Sequence, residues 1–174
     1  MANQKFINAL ENKKQNIPPI WMMRQAGRYH PPYQEKRKQY SFIELCKKPQ
    51  LAAQVALDPI EDFDFDVSIL FSDLLFPLEA FGMGLKYDPA PHFKKWRSID
   101  EALEELAFQK EALEETRKVL PEDKSLIGFV GSPWTLFVYA VAGSHKGTLA
   151  DVKAKISLLP QFCETMGNKK KKNI

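Results

Sequence analysis

Short apolar runs alternate with amphipathic segments along this chain. The runs at residues 20–23, 67–71 and 125–130 have the length of strands and few polar positions, so we expect strands that are buried on both faces. Each run leads into a loop and then into a segment with helical spacing. Buried strands that alternate with helices predict an α/β fold with a parallel sheet, whose right-handed crossovers bring the loops after all three strands to one side. We therefore expect Arg24, Asp73 and the segment 131–139 to converge at the C-terminal ends of the strands.

Local signals mark the helix boundaries between these runs. Ser41 with Glu44 and Ser98 with Glu101 have the spacing of capping boxes, in which serine and glutamate satisfy the free amides of a helix start. Residues 1–17 predict a helical lead-in before the first strand. The second capping box opens one helix whose apolar side carries Leu103, Leu106, Leu113 and Leu120.

Prolines carry positional information in this sequence. Pro49 suits the first turn of one helix, and Pro133, after the capping residue Ser132, suits the first turn of another. Pro59 interrupts the helical pattern that follows Pro49, so the sequence predicts that this helix ends or kinks near Asp58. Residues 85–96 predict an irregular or hairpin excursion.

The composition excludes several classes of protein. With 44% hydrophobic and 27% charged residues it is typical of a globular domain, and no apolar run has the length of a membrane span or the pattern of a secretory leader. We therefore expect a cytoplasmic protein without membrane contact. Subtracting the four lysines of residues 169–172 from the net charge of +3 leaves −1. The folded part thus gives no reason to expect nucleic-acid binding.

Neither a metal site nor a disulfide framework is indicated. Cys46 and Cys163 have no CxxC spacing and no nearby pair of histidines, and Cys46 lies in an apolar stretch where a buried thiol is expected. His30, His92 and His145 have no partners at ligand spacing. We expect these three histidines to be surface residues.

Two arginines follow the first apolar run. Arg24 and Arg28 lie on either side of Gly27, in a loop after a predicted strand, where binding residues commonly lie in α/β folds. A guanidinium matches a carboxylate or phosphate in a bidentate manner, so the pair suits a polyanionic small molecule. The alternative is a pair of surface arginines in exposed ion pairs, which contribute little to stability.

Three segments together indicate a family. The string WMMRQAGRY at residues 21–29 resembles the N-terminal signature of uroporphyrinogen decarboxylases. Residues 69–75, followed by Pro77, resemble the family's second signature, and residues 128–136 with Tyr139 resemble the third. The resemblance runs from about residue 18 to about residue 166. We therefore assign residues 18–166 to a decarboxylase-like barrel and residues 167–174 to a lysine-rich tail outside it.

The resemblance implies a fold and a reaction. The fold is a (β/α)8 TIM barrel, which typically has ~250 residues and eight strands, whereas 174 residues supply about three βα units of an incomplete barrel. The implied reaction removes the four acetate carboxyl groups of uroporphyrinogen III to give coproporphyrinogen III in haem biosynthesis. It needs no metal or organic cofactor, and the family's habit of pairing implies a homodimer.

The resemblance also implies roles for individual residues. Arg24 and Arg28 would hold substrate carboxylates, and Arg24, which matches the arginine nearest the reacting acetate, would help to deliver the proton. Asp73 would accept hydrogen bonds from pyrrole NH groups and stabilise the developing positive charge. Tyr139 would bond a substrate carboxylate or the surroundings of Asp73. The implied cleft also contains Gln25 and Ala26. Taken alone, Asp73 could equally be a helix cap, and Tyr139 would be a core aromatic with its hydroxyl satisfied.

The sequence departs from the family pattern at several points. His30, Pro31 and Pro32 stand where the family usually has Leu-Pro-Glu, and Ala142 stands where an acidic residue is common. The family's later serine and C-terminal histidine have no counterpart. Four consecutive lysines suggest an adenine run in the gene, at which a one-base slip would end the protein early; a solvated lysine tail is the alternative.

Two other functions fit parts of this sequence. A corrinoid-linked methyltransferase shares the barrel but needs a zinc site made of His and Cys. A non-catalytic porphyrin-binding or assembly module would retain the carboxylate-binding loop. The arginine signature favours the decarboxylase, which we expect to be inactive as an isolated fragment.

Overall fold

A computed structural model describes residues 2–82, 98–143 and 149–167 of the chain. The excursion predicted for residues 85–96, the loop with His145 and the tail beyond residue 167 lie outside these ranges. In chain order the elements are α1 (Gln4–Leu10), α2 (Pro31–Gln39), α3 (Phe42–Lys47), α4 (Pro49–Phe63), β1 (Val67–Ile69), α5 (Phe76–Ala80), α6 (Ile99–Glu105), α7 (Ala107–Val119), β2 (Ser125–Ile127), α8 (Pro133–Ala142), α9 (Ala150–Ala154) and α10 (Leu159–Gly167), with a 3-10 turn at Ile156–Leu158.

The first of two compact units comprises Met1–Asp73 and Ala107–Phe129. Its sheet consists of β1 and β2, which pair in parallel with Val67 opposite Ser125. Each strand follows a helix, and these two helices, α4 and α7, pack along each other. The predicted α/β fold with parallel strands is confirmed for this pair, although both strands are shorter than the apolar runs that predicted them.

The strand predicted for residues 20–23 is wrong. Asp66 takes the place of a neighbouring strand here: its N–H donates to the Ile20 carbonyl (3.0 Å), and its carboxylate accepts from the Ile20 N–H (2.8 Å). A side chain thus satisfies the backbone that a strand ladder would otherwise pair. Met22 and Met23 are 56% and 77% exposed, so the apolar run is not a buried one.

The prediction for Pro59 is an end or a kink near Asp58; the end is wrong, and the kink stays a prediction. Helix α4 contains Pro59 and continues to Phe63, ending at Asp64 in the left-handed conformation with φ 52°. A proline in a helix interior costs ~3 kcal/mol, whereas each large apolar side chain that becomes fully buried contributes ~1.5–3 kcal/mol. Burial of the apolar face therefore outweighs the proline. That face consists of Ala52, Val55, Ala56 and Ile60.

Both predicted capping boxes are present. Ser41 Oγ accepts from the Glu44 N–H (3.1 Å) and Glu44 accepts from the Ser41 N–H (2.8 Å); Ser98 and Glu101 form the same pair of bonds. The single helix predicted after Ser98 is two helices, because the chain turns at Leu106, whose N–H bonds the carbonyl three residues back.

The second unit comprises Leu74–Leu106 and Val130–Ile174. Helix α8 begins as predicted: Ser132 Oγ accepts from the Thr135 N–H (3.1 Å) and Pro133 occupies the first turn. The helix is rich in apolar residues and is largely buried in the core of this unit. That core contains Leu78, Leu136, Phe137, Val138, Ala140, Val152 and Phe162.

Candidate functional site

The arginine loop, defined here as residues 21–30, is held against β1 by Gln25. This side chain is 2% exposed, and its Nε2 donates to the Val67 carbonyl (3.0 Å). Its Oε1 accepts from the Met22 N–H (3.2 Å). Both polar atoms of Gln25 therefore fix the loop, one to the strand and one to the start of the loop itself.

Arg24 has an unusual backbone and an unpaired side chain. Its φ of 64° lies in the left-handed region, which costs an L-residue ~1–2 kcal/mol. The side chain is exposed, and within residues 2–82, 98–143 and 149–167 its guanidinium has no hydrogen-bond or ion-pair partner. Surface ion pairing therefore does not explain this arginine there. Backbone strain of this kind is concentrated at functional positions.

Arg28 lies four residues further along the same loop and is also exposed. Two side chains bond the backbone around Arg28. Gln34 Nε2 donates to the Arg28 carbonyl (2.7 Å), and the Tyr29 hydroxyl donates to the Gln25 carbonyl (2.6 Å). A Cβ atom added at Gly27 would lie 3.2 Å from the Arg24 carbonyl, so the turn between the two arginines is tight. The loop thus presents two cations from a fixed backbone.

Asp73 follows β1 in the same unit and is partly buried. It is not the capping residue of the next helix, because Leu75 occupies the N-cap of α5. The chain before it is anchored by aromatic packing. The Phe71 ring lies 5.8 Å from the Tyr33 ring and 5.8 Å from the Phe42 ring, both in edge-on geometry.

Two buried groups connect the surroundings of Arg28 with those of Asp73. Burial raises the pKa of the Tyr33 phenol, and the positive charges of Arg37 and Arg28 partly offset that rise. Burial also raises the pKa of the Cys46 thiol, to about 12, and the Asp73 carboxylate adds to the rise while Arg37 opposes it. The charge of Arg28 therefore acts on Tyr33, that of Asp73 acts on Cys46, and that of Arg37 acts on both buried groups. The expectation that Cys46 is buried is confirmed.

The similarity of this chain to known proteins agrees with these features. A model of the uroporphyrinogen decarboxylase family matches residues 1–168. The chain belongs to this family. Relatives named uroporphyrinogen decarboxylase are 45% identical in a Nitratiruptor species, 41% in Helicobacter pylori and 38% in Pseudomonas syringae pv. tomato. Each match covers 92% of this chain and 51%, 51% and 49% of the respective relative. The chain spans about half the length of these curated relatives.

The decarboxylase signature residues are distributed over both units. The first unit holds Arg24, Gln25, Ala26, Arg28 and Asp73, with Ala26 partly buried in the arginine loop. Tyr139 lies in the second unit, on α8, where it packs against the apolar core. The convergence of Tyr139 with Arg24 and Asp73 stays a prediction.

His30 is the residue that sequence reasoning placed wrongly. It is 1% exposed instead of lying on the surface, and its Nε2 lies 2.6 Å from Oδ2 of Asp62. No spacing rule could find this pair, because the two residues are 32 positions apart. The sequence beside Asp62 gives one local indication of a contact with a ring: the next residue, Phe63, is aromatic, and its ring lies 5.7 Å from the His30 imidazole. His92 and His145 lie outside the described residues.

The chemistry available to the site is set by its side chains. In the part of the chain that the structure describes, no cluster of three or more His, Cys, Asp or Glu could hold a metal ion. None of the helices described is long and apolar enough to cross a bilayer. Among the predicted site residues, the first unit supplies the guanidinium groups of Arg24 and Arg28 and the carboxylate of Asp73.

Proposed function

We propose that this chain forms the N-terminal part of a uroporphyrinogen decarboxylase site, in which the arginine loop binds acetate carboxylates of the substrate. The observation that carries the proposal is Arg24, an exposed guanidinium on a strained backbone with no acidic partner in the described chain. An anionic ligand would supply that partner. Family membership and relatives named uroporphyrinogen decarboxylase support uroporphyrinogen as the ligand.

The proposed reaction uses the substrate itself as the electron acceptor. Protonation of a pyrrole carbon makes the ring electron-poor, and the electron pair of the breaking carbon–carbon bond moves into that ring as carbon dioxide leaves. A proton then adds to the side-chain carbon that lost the carboxyl group, and the ring carbon releases the proton it had taken up, which restores the neutral pyrrole. Repeating these steps at four acetates converts uroporphyrinogen III to coproporphyrinogen III. The protein has to hold eight carboxylates and stabilise a cationic ring.

Each site residue has a proposed part in this reaction. Arg24 and Arg28 bind carboxylates in a bidentate manner, and Arg24, nearest the reacting acetate, also helps to deliver the proton. Asp73 accepts hydrogen bonds from the pyrrole NH groups and stabilises the developing charge. Tyr139 bonds a substrate carboxylate or the surroundings of Asp73. Gln25 and Ala26 line the cleft, Gln25 while it holds the loop on β1.

We further propose that the two parallel strands belong to a TIM barrel of which this chain supplies about three βα units. A barrel needs eight strands, so we expect turnover to need the remaining strands and their loops. Unpaired strand edges favour association with another chain. Binding of one face of the substrate needs less of the site than turnover does, and binding is therefore the property to test first.

The test is a fluorescence titration of uroporphyrin, the stable oxidised octacarboxylate, with the wild-type chain and with Arg24→Ala. Loss of a charge-assisted bidentate contact is worth ~1.5–3 kcal/mol, so we expect affinity to fall by ~10- to 100-fold. Lys13→Ala is the matched control, because Lys13 is an exposed cation paired with Glu11 near the N-terminus. Equal losses in both variants, or no binding by the wild type, would contradict the proposal.

A further inference from the structure

We infer that His30 is a positioning residue for Arg28: it fixes the C-terminal end of the arginine loop to the end of α4 through Asp62. His30 has no part of its own in the proposed reaction. Its effect on ligand binding rests on the proposed function, whereas its effect on the loop does not. Burial, a short hydrogen bond and ring contacts of the imidazole support this role.

The hydrogen bond defines which nitrogen of His30 carries a proton. Nε2 lies 2.6 Å from Oδ2 of Asp62, and an ionised carboxylate only accepts hydrogen bonds. The proton therefore lies on Nε2. Nδ1 is buried, and no atom of the described residues bonds it. The pair with Asp62 is thus the polar contact that the structure gives this ring.

The two members of the pair have different surroundings. The His30 side chain is 1% exposed and the Asp62 side chain 49% exposed, so the imidazole lies inside and reaches the carboxylate at the surface. Two aromatic rings lie near the imidazole: Tyr29 at 5.8 Å and Phe63 at 5.7 Å between centroids. A buried ring held by packing and by one short hydrogen bond has little freedom to move.

The arginine loop has three anchors along its length. Asp66 holds Ile20 before the loop, Gln25 holds the middle on β1, and His30 holds the end on α4. Arg28 lies between the second and third anchors. The His30 N–H also donates to the carbonyl of residue 27 (3.0 Å), so the imidazole anchor and the turn that carries Arg28 belong to one residue.

Leucine and glutamine at position 30 would keep different contacts of the His30 ring. Leucine can fill an apolar space between aromatic rings, but it cannot bond a carboxylate. Glutamine can, because its terminal NH2 reaches about as far from the backbone as Nε2 of histidine and donates to the same acceptor. His30→Leu and His30→Gln therefore separate the hydrogen bond from the filling of space.

The first arm of the test measures amide hydrogen exchange in residues 26–30 without any ligand. We expect His30→Leu to speed exchange in this segment by ~10-fold, the equivalent of one lost charge-assisted hydrogen bond, while exchange in β2 stays unchanged. His30→Gln should restore the slow exchange to within about twofold. Asp62→Ala, which leaves the buried ring in place, should reproduce the effect of His30→Leu even if that variant folds poorly.

The second arm titrates uroporphyrin into the same variants. If His30 acts through Arg28, Arg28→Ala should weaken binding ~10-fold in the wild type but at most about threefold in the His30→Leu background. Unchanged exchange in both His30→Leu and Asp62→Ala, or a His30→Gln variant as mobile as His30→Leu, would overturn the inference. A wild-type chain that binds no uroporphyrin would contradict the proposed function only, because the exchange arm decides the role of His30 independently.

Discussion

At the scale of single residues, Arg24 combines a strained backbone with a charge that has no partner among the described residues, and glycine at this position separates the two properties. Glycine adopts φ 64° without steric cost, although it also loosens the unfolded chain. We expect Arg24→Gly to change the free energy of unfolding by ~0 to +1 kcal/mol. Urea unfolding measures that change, and the uroporphyrin titration should show the same loss of affinity as Arg24→Ala.

Arg28→Gly is the matched control for this prediction. Arg28 is not among the residues with positive φ, so glycine there relieves no strain and should lower stability by ~0.5–1 kcal/mol. If glycine destabilised the chain equally at both positions, the left-handed conformation of Arg24 would carry no strain. Backbone strain would then not distinguish Arg24 from Arg28.

Asp66 is the buried carboxylate on which the N-terminal segment depends. Burial alone would raise its pKa, but hydrogen bonds from Lys5, from the Ile20 N–H and from Asn3 outweigh burial and lower it. Asp66→Asn should cost ~2–3 kcal/mol of unfolding free energy, with the exposed Glu122→Gln as control.

Because the folded pKa of Asp66 is lowered, this stabilisation is present above the ordinary pKa of aspartate and is lost as pH falls through the folded value. The wild type and Asp66→Asn should therefore have similar free energies of unfolding in acid. A difference between them that does not change with pH would contradict this prediction.

Single-residue features could be predicted when the residues involved are close together in the sequence. The arginines could be singled out because their string is contiguous. The bond of Gln25 to β1 and the burial of His30 against α4 could not be predicted, because the contacting residues are 42 and 32 positions away in the sequence.

At the scale of elements, three helix starts were predictable, whereas the strand predicted for residues 20–23 was not formed. The caps at Ser41, Ser98 and Ser132 each involve residues three apart, so the sequence alone contains both partners. The apolar run at residues 20–23 has the composition of a strand, but the backbone N–H and carbonyl of Ile20 bond Asp66. No local sequence pattern indicates this partner. Composition therefore indicated burial where the structure has exposed methionines.

Helix α4 offers a test of the balance between propensity and packing. Pro59 lies in the helix interior, and Pro49 in the first turn, where proline carries no penalty. Pro59→Ala removes the penalty of ~3 kcal/mol for a proline in a helix interior. It also loses packing and makes the unfolded chain more flexible, so the net stabilisation should be ~1 kcal/mol. Pro49→Ala should destabilise the protein slightly. Thermal unfolding of both variants measures the difference, and destabilisation by Pro59→Ala would mean that the proline is a packing residue first.

At the scale of the whole molecule, family membership was the most predictable property. Three signatures spread over residues 21–139 indicate it from the sequence alone, and a family match over residues 1–168 confirms it. Pairing of β1 with β2 was predictable as a parallel arrangement, because helical segments separate the strands in the sequence. How Tyr139 lies relative to Arg24 and Asp73 is a question of long-range assembly, which neither periodicity nor local capping addresses.

The measurement that tests the central claim most directly compares two porphyrins on two proteins. Uroporphyrin carries acetate and propionate side chains, whereas coproporphyrin has methyl groups in place of the acetates. If Arg24 binds an acetate carboxylate, the wild-type chain should prefer uroporphyrin by ~10-fold or more, and Arg24→Ala should reduce that preference to near one. If Arg24→Ala weakened both ligands equally, or neither, the proposal that the arginine loop recognises the acetates would be wrong.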